Sequence, residues 1–178
     1  MAKTKSSLKA VTFLGTGDYK PVVYKFDEQR FEETELFPVA LCQMKFGLSK
    51  IDELFAVVTT AAEQKWLGKL EEQLAGKVKV TPIPIPDGHS EGDMWAIFDL
   101  ITGALQPNDR VIFDITHSFR TLPFLSFLAT AYLQVAKNVE IWGIYYGAFE
   151  AKDAEGDAPI FDLTPFLRLL DWTTATNT

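Results

Sequence analysis

Short apolar runs alternate with amphipathic stretches along this chain, and polar turns separate them. The runs KAVTFLG, DELFAVVTT and DRVIFDIT are rich in β-branched and aromatic residues, which is typical of buried strands. The stretches TAAEQKWLGKLEEQLAG and DGHSEGDMWAIFDLITGAL carry apolar residues at helical spacing. Strands that alternate with helices predict an α/β fold, a Rossmann-like and mostly parallel sheet with helices on both faces.

Local signals sharpen this prediction for the first two amphipathic helices. Thr60 followed by Glu63 is a capping-box pattern at the start of the first helix, and Gly76 is expected to end it. Ser90 is the predicted N-cap of the second helix. The expected buried faces consist of Trp66, Leu67, Leu70 and Leu74 in the first helix, and of Trp95, Phe98, Ile101 and Leu105 in the second.

Four further segments complete the predicted architecture. PVVYKF and FEETELF are expected to form a small β-hairpin extension. KVKVTPIPIP contains three prolines, which favour an edge strand or an early exit from the sheet. VIFD is continuously apolar until its aspartate, which favours a central strand. LPFLSFLATAYLQVAK is apolar nearly all round, so this helix is expected to be buried on more than one side.

Composition places these elements in one domain and narrows the classes of function. The chain has 178 residues, a length that suits a single domain, and 47% of them are hydrophobic. Cys42 is the only cysteine, so no internal disulfide forms, and neither a secretory signal nor a membrane-spanning run is evident. We therefore expect a cytoplasmic protein that does not contact a membrane.

The net charge of −7 argues against a protein that binds long nucleic acid. Affinity for DNA or RNA depends on basic surface and on the release of counterions, and an acidic chain lacks that surface. The charge does not exclude a small nucleotide, because backbone N–H groups and helix N-termini can hold phosphates locally.

Three polar turns are the candidate site, because ligands of such folds lie at the carboxyl ends of the strands. GTGDY follows the first strand, TTAAEQK follows the second parallel strand and THSFR follows the central strand. The glycines of GTGDY let backbone approach a ligand, although an ordinary tight turn explains them equally well. The motif is neither a dinucleotide fingerprint nor a Walker loop.

The other two turns carry hydroxyl groups and charge. Thr59 and Thr60 cap a helix or leave its N–H groups to a phosphate, with Lys65 one turn further along. In DITHSFR, His117 can exchange a proton near neutral pH and Arg120 can bind a phosphate through two N–H groups. Thr116 and Ser118 supply hydroxyls, and this density of polar groups favours a site over a simple cap.

Other kinds of site are less well supported. A Ser-His-Asp triad lacks the nucleophile elbow around Ser118, and Asp114 is expected to brace the turn instead. His89 and His117 are the only histidines and no cysteine–histidine spacing exists, so neither a metal nor another cofactor is expected. PDGHSEGD is a surface loop that becomes a lid if it lies beside the site.

The motifs together resemble the CARF family, the CRISPR-associated Rossmann-fold sensor domains of type III systems. Within that family the chain is similar to the branch that usually carries a C-terminal HEPN ribonuclease. The matching segments are FLGTGDYKPVVY, PIPDGHSEGDMW, VIFDITHSFRTLPF, WGIYYGAFEAKD and IFDLTPFLRLLDW. On this resemblance residues 1–172 are a CARF sensor domain and residues 173–178 a polar tail.

The resemblance implies a homodimer that binds a cyclic oligoadenylate, most often the four-membered ring, across its two-fold axis. A symmetric ring can meet two copies of one pocket without asymmetry. Carried over by position, the pocket would consist of Gly15, Thr16, Gly17, Asp18, Thr59, Thr60, Lys65, Thr116, His117, Ser118, Phe119 and Arg120.

Two interpretations of activity remain open. The chain is either a sensing domain that regulates a separate or absent effector, or a slow, metal-independent ring nuclease in which a ribose 2′-hydroxyl attacks the neighbouring phosphate. His117, Ser118 and Arg120 are the candidate catalytic groups of the second interpretation. Arg110 and His117 have the spacing of a HEPN motif, but they flank a strand, so no HEPN ribonuclease activity is expected. A nucleotide-responsive transcription regulator is disfavoured, since no helix-turn-helix is evident.

Overall fold

A computed structural model describes residues 7–119 and 121–175, without the side chains of residues 170, 171 and 173–175. Eight strands form one sheet in the order β3-β2-β8-β7-β6-β1-β4-β5. The strands are β1 Leu8–Leu14, β2 Tyr24–Phe26, β3 Gln29–Arg30, β4 Glu53–Val58, β5 Lys79–Pro84, β6 Arg110–Asp114, β7 Glu140–Gly147 and β8 Ala158–Asp162. The five strands from β7 to β5 pair in parallel, and β8 runs antiparallel to β7.

Helices connect the strands and cover the sheet. They are α1 Phe37–Gln43, α2 Thr60–Ala62, α3 Gly68–Leu74, α4 Glu91–Ala104, α5 Leu122–Lys137 and α6 Thr164–Ala175. A π-helical turn, Glu63–Leu67, joins α2 to α3, and a 3₁₀ turn, Phe149–Ala151, follows β7. None of the described helices has the length and apolar content that a membrane crossing requires.

Alternate residues of the central strands enter two separate cores. In β4, Leu54 and Ala56 pack with α1 and α3, whereas Phe55 packs on the opposite side with α4 and α5. Because successive side chains of a strand point to opposite faces, a strand covered on both faces must be apolar throughout. The predicted α/β fold with helices on both faces is therefore confirmed.

Several predictions for individual elements are also confirmed. β6 lies between β1 and β7 in the middle of the sheet, and the proline-rich β5 is an edge strand. Pro123 lies in the first turn of α5, where a missing N–H costs nothing. Gly76 follows α3 with a φ of +72°, the left-handed conformation expected after a helix end. The Ser90 hydroxyl caps α4 by accepting from the Asp93 N–H.

The hairpin prediction is correct in kind but wrong in extent. β2 and β3 pair in an antiparallel hairpin at one end of the sheet, and its turn places Asp27 at a φ of +51°. FEETELF is not the returning strand, because the hairpin closes at Arg30. From that segment the Phe31 N–H donates to the Tyr24 carbonyl at 3.0 Å, and Thr34 forms an isolated bridge with Val22.

Two burial predictions and one cap are wrong. In α4 the predicted burial of Ile101, and of Leu105 directly after the helix, is confirmed, but Trp95 is exposed and Ile97 completes the stripe, since a spacing of four residues leaves Trp95 outside it. Helix α5 is buried on the sheet side only, and Phe124, Leu128, Tyr132 and Val135 are exposed on its outer side. Thr59, not Thr60, is the N-cap of α2, and its hydroxyl accepts from the Ala62 N–H.

A glycine at the end of β7 is required by the packing of two aromatic rings. A Cβ on Gly147 would lie 2.5 Å from the Phe37 ring and 2.7 Å from the Tyr24 ring. We expect Gly147→Ala to lower the free energy of unfolding by about 2 kcal/mol or more, since both rings are buried and cannot move away. Gly68 in α3 meets nothing within 4 Å, and Gly68→Ala should raise stability by about 1 kcal/mol. Urea denaturation of both variants measures the contrast, and equal effects would contradict it.

Candidate functional site

Asp114 anchors the turn that follows β6. Its side chain is fully buried, and its two carboxylate oxygens accept from the Thr12 hydroxyl at 2.6 Å and from the Thr116 N–H at 2.8 Å. Burial raises the pKa of Asp114 to about 6, against the lowering effect of these hydrogen bonds. Asp114 thereby ties β6 to β1 and sets the direction in which residues 116–119 leave the sheet.

The loop after β1 folds back onto itself through Tyr19. The Tyr19 hydroxyl accepts from the Gly15 N–H at 2.9 Å, and its ring stacks on Trp66 with centroids 5.0 Å apart. A Cβ would lie 3.0 Å from the Tyr19 hydroxyl at Gly15 and 2.9 Å from its ring at Gly17. These glycines therefore make room for a tyrosine of the same loop, a reason that the motif alone did not disclose.

The π-helical turn holds the other side of this loop. The Trp66 indole N–H donates to the Gly17 carbonyl at 3.1 Å, and Lys65 Nζ donates to the Thr16 carbonyl at 2.8 Å. The same ammonium forms an ion pair with Asp18, and the hydrogen bond from Lys65 lowers the pKa of that carboxyl. Two adjacent residues of a π turn, a feature frequent at functional sites, thus fix the backbone of residues 16–18.

His117 lies at the centre of the three turns and is almost fully buried. Its Nε2 accepts from the Phe37 N–H at 3.1 Å, and its ring lies 3.9 Å from the Tyr19 ring, centroid to centroid. Burial lowers the pKa of His117 to about 4. The side chain is therefore a neutral imidazole near pH 7 that satisfies the first N–H of α1, with its own proton on Nδ1.

The neighbouring hydroxyls are also engaged. Thr116 Oγ1 accepts from the Gly147 N–H at 2.8 Å, and this bond joins the β6 turn to the end of β7. Ser118 Oγ donates to the Ile115 carbonyl at 2.5 Å. Both hydroxyls keep further lone pairs for a ligand, but neither is paired with His117.

These turns enclose a cavity of about 470 Å³ at the carboxyl edge of the sheet. Its wall consists mostly of backbone and hydroxyl groups, with the two imidazoles and the Asp87 carboxylate, which suits the polar part of a ligand. The residues that line it are Gly15, Thr16, Gly17, Tyr19, Thr59, Ala61, Asp87, His89, Thr116, His117, Ser118 and Phe119. We call this space the first cavity.

Eight residues predicted from the sequence line the first cavity: Gly15, Thr16, Gly17, Thr59, Thr116, His117, Ser118 and Phe119. Three do not. Asp18 lines a neighbouring cavity, and Thr60 is exposed at the start of α2. Lys65 does not line the first cavity but donates to the Thr16 carbonyl of the loop. Arg120 lies outside the described residues. The roles of all twelve predicted residues in binding a ligand stay predictions.

The sequence did not single out Tyr19, Ala61, Asp87 and His89 as pocket residues. Asp87 and His89 belong to PDGHSEGD, and their presence in the wall places that loop beside the site, as the lid hypothesis requires. Tyr19 stands at the end of GTGDY, where its position after two glycines was the available signal.

A group of acidic residues lies apart from this cavity. Within the described part of the chain, Asp153, Glu155 and Asp157 are the residues whose ligand atoms come within 4.8 Å of one another. Asp157 already forms an ion pair with Arg30 at 2.7 Å, and Asp153 accepts from two N–H groups of its own turn. The contacts of these acidic residues are therefore explained by the turn itself and by the ion pair with Arg30.

No family model matches the chain. The chain resembles a CRISPR-associated protein. It is 29% identical over 163 residues to CRISPR-associated protein MJ1674 of Methanocaldococcus jannaschii, an alignment that covers 86% of this chain and 24% of the relative. This chain therefore spans about a quarter of the length of the curated relative that it matches.

The buried imidazole predicts a defined dependence of stability on pH. Its pKa is lowered to about 4 in the folded chain, whereas the unfolded chain takes up this proton near pH 6.5. His117→Gln retains an acceptor for the Phe37 N–H but does not titrate. The stability of the wild type relative to this variant should fall as the pH drops from about 6.5 to about 4, by up to about 3 kcal/mol.

Asp114 acts in the opposite direction, because its pKa is raised to about 6, and acidification through that value favours its folded form. This contribution is common to both proteins and cancels in the difference. Urea unfolding at a series of pH values measures the effect. A difference that does not change with pH would show that His117 is not held neutral by burial.

Proposed function

We propose that this chain binds a cyclic oligoadenylate, most readily the four-membered ring, in type III CRISPR antiviral signalling. The observation that carries the proposal is the first cavity, because turns from three parallel strands converge there and supply three threonine hydroxyls, Ser118 and glycine backbone. Such a wall can donate hydrogen bonds to phosphate and ribose oxygens at the carboxyl edge of a sheet. The similarity to a CRISPR-associated protein supports the biological setting.

Helix starts add to the capacity of this site for anions. Ala61, in the first turn of α2, lines the first cavity, and the loop that ends at Phe119 leads into α5. The first N–H groups of a helix lack acceptors within the helix and attract negative charge. Local recognition of this kind is compatible with the net charge of −7.

The outer face of α5 supports a homodimer. Phe124, Leu128, Tyr132 and Val135 recur at helical spacing and are exposed, and Tyr132 contacts Phe98 of α4 with centroids 5.3 Å apart. Exposed apolar patches of this kind mark interaction sites. Since α5 begins beside the first cavity, pairing through this face would bring two cavities close together, as a symmetric ring requires.

The contacts of His117 favour sensing over cleavage. A neutral imidazole whose Nε2 already accepts a hydrogen bond cannot donate a proton to a leaving oxygen from that atom. Cleavage of the ring would then rest on alignment of the ribose 2′-hydroxyl and on charge stabilisation by Arg120. Sensing without cleavage is therefore the preferred form of the proposal, and a slow ring nuclease is its alternative.

The geometry of Arg110 and His117, which have the spacing of a HEPN motif, does not support a HEPN-type reaction. Arg110 begins β6 and its guanidinium lies 4.5 Å from the Trp142 ring centroid, while His117 follows the far end of the strand. The strand Arg110–Asp114 between them is roughly 13 Å long. The two side chains cannot act on one phosphate from these positions.

Binding and cleavage can be separated in one experiment. Labelled cyclic tetraadenylate is incubated with the chain and resolved on a native gel for binding and on a denaturing gel for products. We expect a retained ligand that is recovered intact. Linear products would favour the ring nuclease, and the lack of binding to rings of four or six nucleotides would overturn the proposal.

Arg120→Ala should weaken the binding of cyclic tetraadenylate roughly 10-fold or more, because a charge-assisted phosphate contact is lost. Lys77→Ala is the matched control, since Lys77 is exposed beyond the end of α3, and its removal takes away one positive charge elsewhere. Equal affinities of the two variants would remove Arg120 from the site.

Val135→Glu should convert a dimer into a monomer in sedimentation velocity at micromolar concentration. Val135 is 90% exposed in the single chain, so the substitution should leave its folding intact. Leu48→Glu is the matched control, because Leu48 is equally exposed but lies outside α5. A monomeric wild type would refute the homodimer, and a dimeric Val135→Glu would refute this face as its interface.

A further inference from the structure

A second cavity of about 410 Å³ adjoins the first one. Tyr19, Thr116 and His117 line both spaces, so the two cavities are separated by a single layer of side chains. The second cavity opens toward the end of β7, on the side of the hairpin. None of its other residues was predicted to bind a ligand except Asp18.

The wall of this second cavity differs in chemistry from that of the first. Four aromatic side chains share it: Tyr19, Tyr24, Tyr146 and Phe149. Lys20 and Lys152 also line it, and Lys152 Nζ lies 3.9 Å from the Phe149 ring centroid. The carboxylates of Asp18 and Glu35 line it too, but each forms an ion pair with a lysine outside the cavity. Aromatic faces beside cations are suited to a stacked base that carries a phosphate.

Two polar groups in the aromatic wall can hydrogen-bond to a ligand and thereby orient it. Tyr24 is 1% exposed, lies in this wall, and its hydroxyl makes no hydrogen bond to another described residue. This hydroxyl is not among the buried atoms that lack a partner, so it is accessible from the cavity and can hydrogen-bond to a ligand there. Glu150 accepts from the Tyr146 hydroxyl and keeps acceptor capacity at the same wall.

We infer that the second cavity is a binding site for an adenine base. The inference rests on the proposed function and assigns to this cavity one nucleotide of the ring whose neighbour occupies the first cavity. The base stacks on the aromatic wall, its 6-amino group donates to Glu150, and a ring nitrogen accepts from the Tyr24 hydroxyl. Lys20 and Lys152 face its phosphate. Two cavities in each of two protomers then match a ring of four nucleotides.

The test combines a change in the ligand with a substitution in the protein, in the manner of a double-mutant cycle. Kd values are measured by calorimetry for cyclic tetraadenylate and for the analogue whose bases lack the 6-amino group. Loss of that group should weaken binding to the wild type by about 10-fold, since it leaves the carboxylate without its donor. The same loss should matter markedly less in Glu150→Gln. Glu155→Gln, on the neighbouring acidic turn outside the cavity, should behave like the wild type.

Tyr24→Phe provides an independent arm, because it removes only the hydroxyl from a buried ring. We expect it to weaken the binding of cyclic tetraadenylate by about 5-fold. Normal unfolding in urea would establish that the variant folds. Unchanged ring affinity together with weaker binding of adenosine monophosphate would assign the cavity to a free nucleotide and overturn the inference.

The outcomes distinguish this inference from the function on which it rests. If the wild type binds no cyclic oligoadenylate, the proposed function fails and the inference fails with it. If the ring binds but Tyr24→Phe and Glu150→Gln leave its affinity unchanged, the inference alone is wrong.

Discussion

The parallel sheet, covered by helices on both faces, determines where polar chemistry can occur in this molecule. Strands β1, β4 and β6 are apolar along nearly their whole length because each side chain enters one of two cores. Polar side chains can therefore accumulate only where these strands end. Asp114 marks the limit, since it is fully buried and stable there only through its bonds to Thr12 and Thr116.

From this edge a single stack of rings organises both cavities. Trp66, Tyr19 and His117 lie one against the next, and each is also held by a hydrogen bond to backbone. The stack fixes the loop after β1 against the turn after β6. Tyr19 and His117 of this stack line both cavities and separate the polar first cavity from the aromatic second one. A ligand that spans both would thus meet a rigid divider.

Charge follows the same division. The wall of the first cavity offers mainly neutral donors and acceptors beside the Asp87 carboxylate, and Lys65, which binds the adjoining loop, is already paired with Asp18. The wall of the second cavity carries Lys20 and Lys152 directly, together with the carboxylates of Asp18, Glu35 and Glu150. An acidic chain can in this way hold an anionic ligand without a basic surface, because the attraction comes from a few local groups and backbone N–H donors.

The sequence by itself determined the fold class, the central position of β6, the edge position of β5 and the three turns that meet at one edge. Each of these follows from local pattern: apolar runs, prolines and capping residues act within a few positions of the chain. The tertiary structure alone decided what the motif residues do. His117 accepts from Phe37, eighty positions away, and Gly15 makes room for Tyr19. The exposed face of α5 likewise could not be predicted from the sequence. Burial depends on which elements the fold places beside a helix, whereas the periodicity of apolar residues describes only the helix itself.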